Sequence, residues 1–125
     1  MRRGSERPDE YVVYSAHWDH LGVARSVLQD RIYNGAADNA SGVAALLEIA
    51  ESFTLVKPER SIVFLALTAE ESGLLGSDWY ASHPVYPLER TVANINIDRM
   101  TLLGPTNDIT VIGYGNSELD EWAAR

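Results

Sequence analysis

Residues 61–67, SIVFLAL, form a nearly unbroken apolar run. A short run of this kind, rich in strand-forming residues, suits a strand covered on both faces, as in a parallel sheet. Two more stretches fit the same sheet. YVVYSA (11–16) reads as a buried strand, and TVANINID (91–98) alternates Val92, Asn94, Asn96 and Asp98 against Ala93, Ile95 and Ile97. DITVIGYG (108–115) predicts a fourth, shorter strand. Helical patterns separate these segments. NASGVAALLEIAESF (39–53) puts Val43, Leu46, Leu47, Ala50 and Phe53 on one face, with Asn39 or Ser41 able to cap the start. GLLGSDWYASH (73–83) predicts a second helix, stopped by Pro84. SELDEWAAR (117–125) begins a third, with Ser117 as cap and Asp120 in the capping-box position. Residues 17–38 carry no strong period and predict a long loop, which in a compact domain is usually functional or disordered. Strands alternating with helices predict an α/β fold, a three-layer sandwich around a largely parallel or mixed sheet.

The chain has 125 residues, enough for one domain with a core. Its charged start, MRRGSERPDE (1–10), reads as a disordered or appended segment rather than a signal peptide, which leaves 11–125 as part of a single domain. The formal net charge of −8 argues against a nucleic-acid partner, which requires a basic face. No apolar run approaches the ~18 residues of a membrane span. Cysteine is absent, so disulfides and thiolate metal sites are excluded and any metal falls to His, Asp or Glu.

In open α/β sheets, sites collect beyond the carboxyl ends of the strands. Here the first strand runs into His17, Trp18 and Asp19, the second into Thr68, Ala69, Glu70 and Glu71, and the third ends at Asp98. Asp38 lies just before the first helix. Each has an ordinary explanation: a hydrogen-bonded histidine, an N-cap, acidic residues opening a helix, an Asx turn. Their joint placement at one sheet edge supports another. Crowded carboxylates repel unless they take up protons or cations. His17 with Asp38, Glu71 and Asp98 makes an oxygen-rich set suited to zinc, or to manganese or cobalt in its place. Asp19 can orient the His17 ring by accepting its other N–H. Glu70 projects away from Glu71 and is free to act as a general base.

The segments HWD (17–19), GAADNASG (35–42), TAEESGLLGS (68–77) and NINID (94–98) resemble, in order and approximate spacing, the co-catalytic di-zinc aminopeptidases and their carboxypeptidase relatives. The resemblance runs across nearly the whole chain. It implies the phosphorylase/hydrolase-like fold of zinc peptidases and a metallo-exopeptidase, an aminopeptidase first, acting on peptide substrates in proteolysis. It implies two zinc ions, one held by His17 and Asp98, the other by Glu71, with Asp38 bridging them. Glu70 would be the general base acting on a metal-bridging water, with Asp19 in support of His17. The Asp38–Asn39 peptide bond is usually cis in this family.

One expected element falls outside the sequence. The resemblance implies a second histidine ligand well downstream, whereas His20 reads as loop surface and His83 as a helix-end residue. The expectation is therefore the N-terminal part of a catalytic domain, incomplete at its C-terminus and inactive by itself for want of ligands. An exposed sheet edge would then favour self-association. Two other functions compete: a glutaminyl cyclase-like acyl transferase using one zinc, and a peptidase-like binding module without catalysis. Many relatives are periplasmic or secreted, which sets the expectation for localisation.

Overall fold

The computed structural model describes residues 1–25, 30–101, 104–107 and 109–124. Three parallel strands form the main sheet in the order β4-β1-β5: β1 (Arg7–His17) at the centre, β4 (Arg60–Leu67) on one side and β5 (Thr91–Asn96) on the other. Val13 pairs with Val63 and with Asn94, and His17 pairs with Leu67. Because all three strands run the same way, their carboxyl ends open onto one edge.

Helix α1 (Ser41–Leu55) packs on the sheet face that carries Tyr14 and Phe64. The rings of Tyr14, Phe53 and Phe64 lie about 6 Å apart, beside a core of Val13, Ala16, Leu46, Ile62 and Val63. Ile62 and Val63 point to opposite faces and are both buried, the double coverage expected of SIVFLAL. Helix α2 (Leu75–Ser82) begins over the other face, where Leu74 and Ser77 line a cavity with Ser15, Asn94 and Asn96. This gives the predicted α/β layering around a parallel sheet. Leu47 is a correction: it is 65% exposed. The inward stripe of α1 runs through buried Gly42 and Leu46 and half-buried Ala50 and Phe53, and Leu47 sits one step beyond it.

Residues 2–10, predicted as a disordered or appended start, are held to the beginning of β4. Arg2 and Ile62 exchange backbone hydrogen bonds, each at 2.8 Å. The Ser61 hydroxyl donates to Pro8 O at 2.7 Å, Arg60 pairs with Glu10 at 2.5 Å, and Arg7 pairs with Glu59. These partners are some 50 positions away, so a local reading of charge and hydropathy sees only a polar tail.

The loop after β1 contains a small antiparallel pair, β2 (Gly22–Val23) and β3 (Ile32–Tyr33). The predicted fourth strand is a second correction. Residues 109–111 are irregular and 112–115 form a turn, while Asp108 lies outside the described residues. Gly113 and Gly115 adopt φ of 91° and 92°, a backbone that a strand cannot continue through. The third helix, α3, is short (Leu119–Ala123), and Asp120 accepts from Gly115 N rather than closing a capping box with Ser117. Among the described residues no helix is long and apolar enough to cross a membrane.

Candidate metal centre

His17 ends β1 with its side chain only 3% exposed. Its Nδ1–H donates to the backbone carbonyl of Asp19 at 3.1 Å. That bond fixes the tautomer and leaves the Nε2 lone pair pointing out of the strand end. Nε2 lies 3.1 Å from Asp38 Oδ1 and 3.3 Å from Asp98 Oδ1. With the ring neutral, all three atoms are acceptors, and buried Nε2 has no hydrogen-bond partner among the described residues. Only a proton or a cation between them resolves such a meeting. The imidazole answers in kind. Burial opposes its charged form, but the Asp19 carbonyl and the carboxylates of Glu70, Asp98 and Asp38 outweigh burial and raise its pKa above 6.5.

The carboxylates are placed by their backbones. Asp38 sits at the cis Asp38–Asn39 peptide bond, in a tight turn that leads into α1. Asn39 is 1% exposed and ties this turn to the exit of β5: its side-chain amide donates to Ile97 O at 3.0 Å, and its Oδ1 accepts from Gly42 N and Arg99 N. Ser41 Oγ accepts from Met100 N at 2.9 Å. Asp98 is thereby locked beside Asp38. A Cβ at residue 42 would lie 2.3 Å from Asn39 Oδ1 and 2.7 Å from Ile97 O, so only glycine lets α1 start this close. The sequence predicts Asn39 as a cap for α1 alone; its grip on β5 depends on a partner 58 residues away.

Asp19 departs from its predicted contact. Its carboxylate is 3.6 Å from His17 Nδ1, beyond hydrogen-bond range, and instead accepts the backbone N–H groups of Glu70 at 3.1 Å and Glu71 at 3.3 Å. The residue thus orients the ring through its carbonyl and the Glu70–Glu71 turn through its side chain. Desolvation works against the Asp19 carboxylate, but the two amides prevail and hold its pKa below 3.8. The turn enters at Ala69 with φ 58°, an uncommon left-handed position for a residue bearing a Cβ.

From this turn the two glutamates diverge. Glu70 lines a cavity of about 140 Å³ shared with His17 and Asp98. Glu71 turns toward the loop, with Oε1 2.6 Å from His20 Nδ1. Two groups of possible metal donors result among the described residues, one of His17, Asp38 and Asp98, the other of His20, Asp38 and Glu71. Each has donor atoms within 4.8 Å of one another, and Asp38 belongs to both. His20 is a further correction: it is not loop surface but a 21% exposed side chain inside the site. His83, in contrast, does end α2, stacked on Trp79 at 3.9 Å.

A parallel α/β sheet with two His–carboxylate clusters at its carboxyl edge is the arrangement of a candidate metal centre. The sequence pattern of peptidase family M28 matches residues 1–125, and the chain belongs to this family of zinc metallopeptidases. It is 41% identical over 103 residues to the mouse protein named Aminopeptidase NAALADL1, covering 77% of this chain and 12% of that one. It is 38% identical over 96 residues to a Probable zinc metalloprotease of Pyrenophora tritici-repentis, covering 77% and 22%. It is 39% identical over 103 residues to a Glutamate carboxypeptidase 2 homolog of Caenorhabditis elegans, covering 77% and 12%. The chain thus spans between 12% and 22% of the length of these relatives.

Proposed function

We propose that this chain is the N-terminal part of the catalytic domain of a zinc-dependent exopeptidase, an aminopeptidase, that binds two metal ions. The observation that carries the reading is the buried Nε2 of His17, without a hydrogen-bond partner among the described residues and facing the carboxylates of Asp38 and Asp98, with Glu70 in the adjoining cavity. One imidazole and two carboxylates are a suitable donor set for zinc. When bound, zinc would supply Lewis acidity toward the peptide carbonyl and lower the pKa of the attacking water.

The chain's own groups divide the remaining work. His17, Asp38 and Asp98 would hold one ion, and Asp38 and Glu71 would contribute to holding the other. Glu70 takes the proton from water as oxygen adds to the carbonyl carbon, then delivers it to the amine nitrogen as the C–N bond breaks. Asp19 keeps Glu70 and His17 in register by binding the backbone of one and the ring of the other. A peptide with a free N-terminus is the proposed substrate, in line with the name of the mouse relative, and a periplasmic or secreted setting belongs to the same proposal.

Glu70→Gln in the full-length protein tests this. The expected result is loss of peptide hydrolysis by at least about a hundredfold, the lower range for a general base, with zinc content unchanged. Retained turnover would remove Glu70 from its role. A stoichiometry of one zinc would point to the cyclase-like alternative, and none to a binding module.

A further inference from the structure

The turn that carries Glu70 is gripped by more than the Asp19 carboxylate. Three successive carbonyls at the exit of β4 capture amides from the segment entering α2. Thr68 O accepts from Gly76 N at 3.0 Å, Ala69 O from Leu75 N at 3.1 Å, and Glu70 O from Gly73 N and Leu74 N, each at 2.9 Å. Amides in the first turn of a helix ordinarily lack a backbone partner, and here they bind the end of a strand. The turn is strained at both ends. Ala69 and Leu74 take φ of 58° and 62°, left-handed positions that a residue with a Cβ keeps only where its surroundings impose them. Ser77 Oγ donates to Leu74 O at 2.9 Å and closes the α2 side. Residue 76 permits this docking. A Cβ there would lie 2.3 Å from Thr68 O and 2.8 Å from Thr68 N. Both are backbone atoms, next to Leu67, which pairs with His17 of β1 and whose carbonyl accepts from Trp18 N.

We propose that Gly76 is a positioning residue for Glu70, setting where that side chain stands by letting α2 lie directly against Thr68. The proposal rests on the reading of Glu70 as the general base. The Glu70 backbone is clamped between the Asp19 carboxylate on its N–H and the entry of α2 on its C=O. A methyl group at residue 76 must open the contact with Thr68 O from 2.3 Å to at least 3.0 Å. β1 holds the strand side, so α2 gives way and carries the turn with it. His17, Asp38 and Asp98 stand on other segments and keep their places. A misplacement of about 1 Å at a reacting group costs up to roughly a hundredfold in rate.

The competing role for Gly76 is stability alone, and a double-variant experiment on the full-length protein separates the two. Gly76→Ala, Glu70→Gln and their combination are compared by peptide hydrolysis and thermal melting. Gly4→Ala is the control. A Cβ there would meet Glu59 O at 2.5 Å and Arg60 C at 2.6 Å, a comparable backbone clash at the opposite end of β4. Gly76→Ala is expected to lower kcat by about tenfold to a hundredfold. Gly4→Ala is expected to lower the melting temperature as Gly76→Ala does, yet to keep kcat per folded molecule. In the Glu70→Gln background, Gly76→Ala is expected to cause no further loss, because its effect passes through a base already removed. A loss through Glu71, which shares the turn, would persist there. Retained kcat in Gly76→Ala, an equal fall in Gly4→Ala, or losses that multiply in the double variant each overturn the proposal and leave Glu70 as the base. Full turnover in Glu70→Gln alone sinks the general-base reading and this proposal with it. Should Gly76→Ala fail to fold, amide hydrogen exchange in the unaltered protein decides. The Leu75 and Gly76 N–H groups are expected to exchange as slowly as those of β4, and rapid exchange, as at a free helix start, overturns the docking through which Gly76 acts.

Discussion

His17 and Asp19 divide their tasks in a way that residue types alone do not disclose. The sequence predicts an aspartate side chain on the free N–H of the imidazole, and the structure supplies the aspartate's carbonyl instead. The carboxylate is spent on the amides of Glu70 and Glu71. In the metal-free chain, Asp19→Ala is therefore expected to cost on the order of 1–2 kcal/mol at pH 7, since it strips two part-buried amides of a charged acceptor. The loss has a pH signature. The folded pKa of Asp19 lies below its ordinary 3.8, so the stabilisation is fully present above that value and fades as pH falls through the lowered folded pKa. Urea midpoints of the two proteins should differ steadily from pH 5 to 8 and converge below pH 3.8. A gap that persists undiminished in acid would assign the effect to packing. The positions of His17, Asp38, Glu70, Glu71 and Asp98 are legible in the sequence because each stands where a strand ends or a helix begins. His20 and Asn39 are not, because what defines them is a partner more than fifty residues away.

Among the elements, the strands with continuous or alternating apolar patterns are readable within a residue or two at their C-terminal ends, which is where the site lies. The misjudged segments fail for separable reasons. Residues 2–10 draw their order from pairing with β4. Residues 109–115 have strand-forming composition, but Gly113 and Gly115 take left-handed conformations and no neighbouring strand pairs with them among the described residues. Helix α1 gives the sharpest test of how elements position the site. Its first turn meets the exit of β5 through Gly42, and Gly42→Ala would drive a methyl group into Asn39 Oδ1 and Ile97 O. Overpacking of this kind costs about 1–3 kcal/mol. Because Asn39 also anchors the segment carrying Asp98, zinc affinity should fall along with stability. Leu47→Lys on the same helix, at a 65% exposed position, should stay within about 0.5 kcal/mol of the unaltered chain. Thermal melts and zinc titrations of the pair check both statements. Equal effects from the two substitutions would mean that the close contact at Gly42 is unimportant.

At the scale of the whole molecule, the sheet has unequal edges. The outer side of β4 is met by Arg2 and by side-chain contacts from residues 4–10, whereas no strand lies on the outer side of β5 among the described residues. Val92 and Ile95 on that strand are 49% and 40% exposed, and Leu55 and Trp79 on the helices are 86% and 66% exposed. An unpaired strand with apolar residues is a template for pairing with another chain. The formal charge of −8 opposes such pairing. That repulsion is screened within about 10 Å at 0.1 M salt, while backbone pairing and apolar burial are not. The 125-residue chain is therefore expected to self-associate with rising concentration, more strongly at 0.3 M salt than at 0.02 M. Zinc should act in the same direction, since two divalent ions would halve the negative charge. Val92→Lys places a positive charge on the open strand without touching the metal centre, and should shift the association to several-fold higher concentration, as charged residues do on natural sheet edges. Sedimentation velocity across a hundredfold range of concentration measures this directly. A single monomeric species throughout, at both salt concentrations, would show that the β5 edge is protected by some other means.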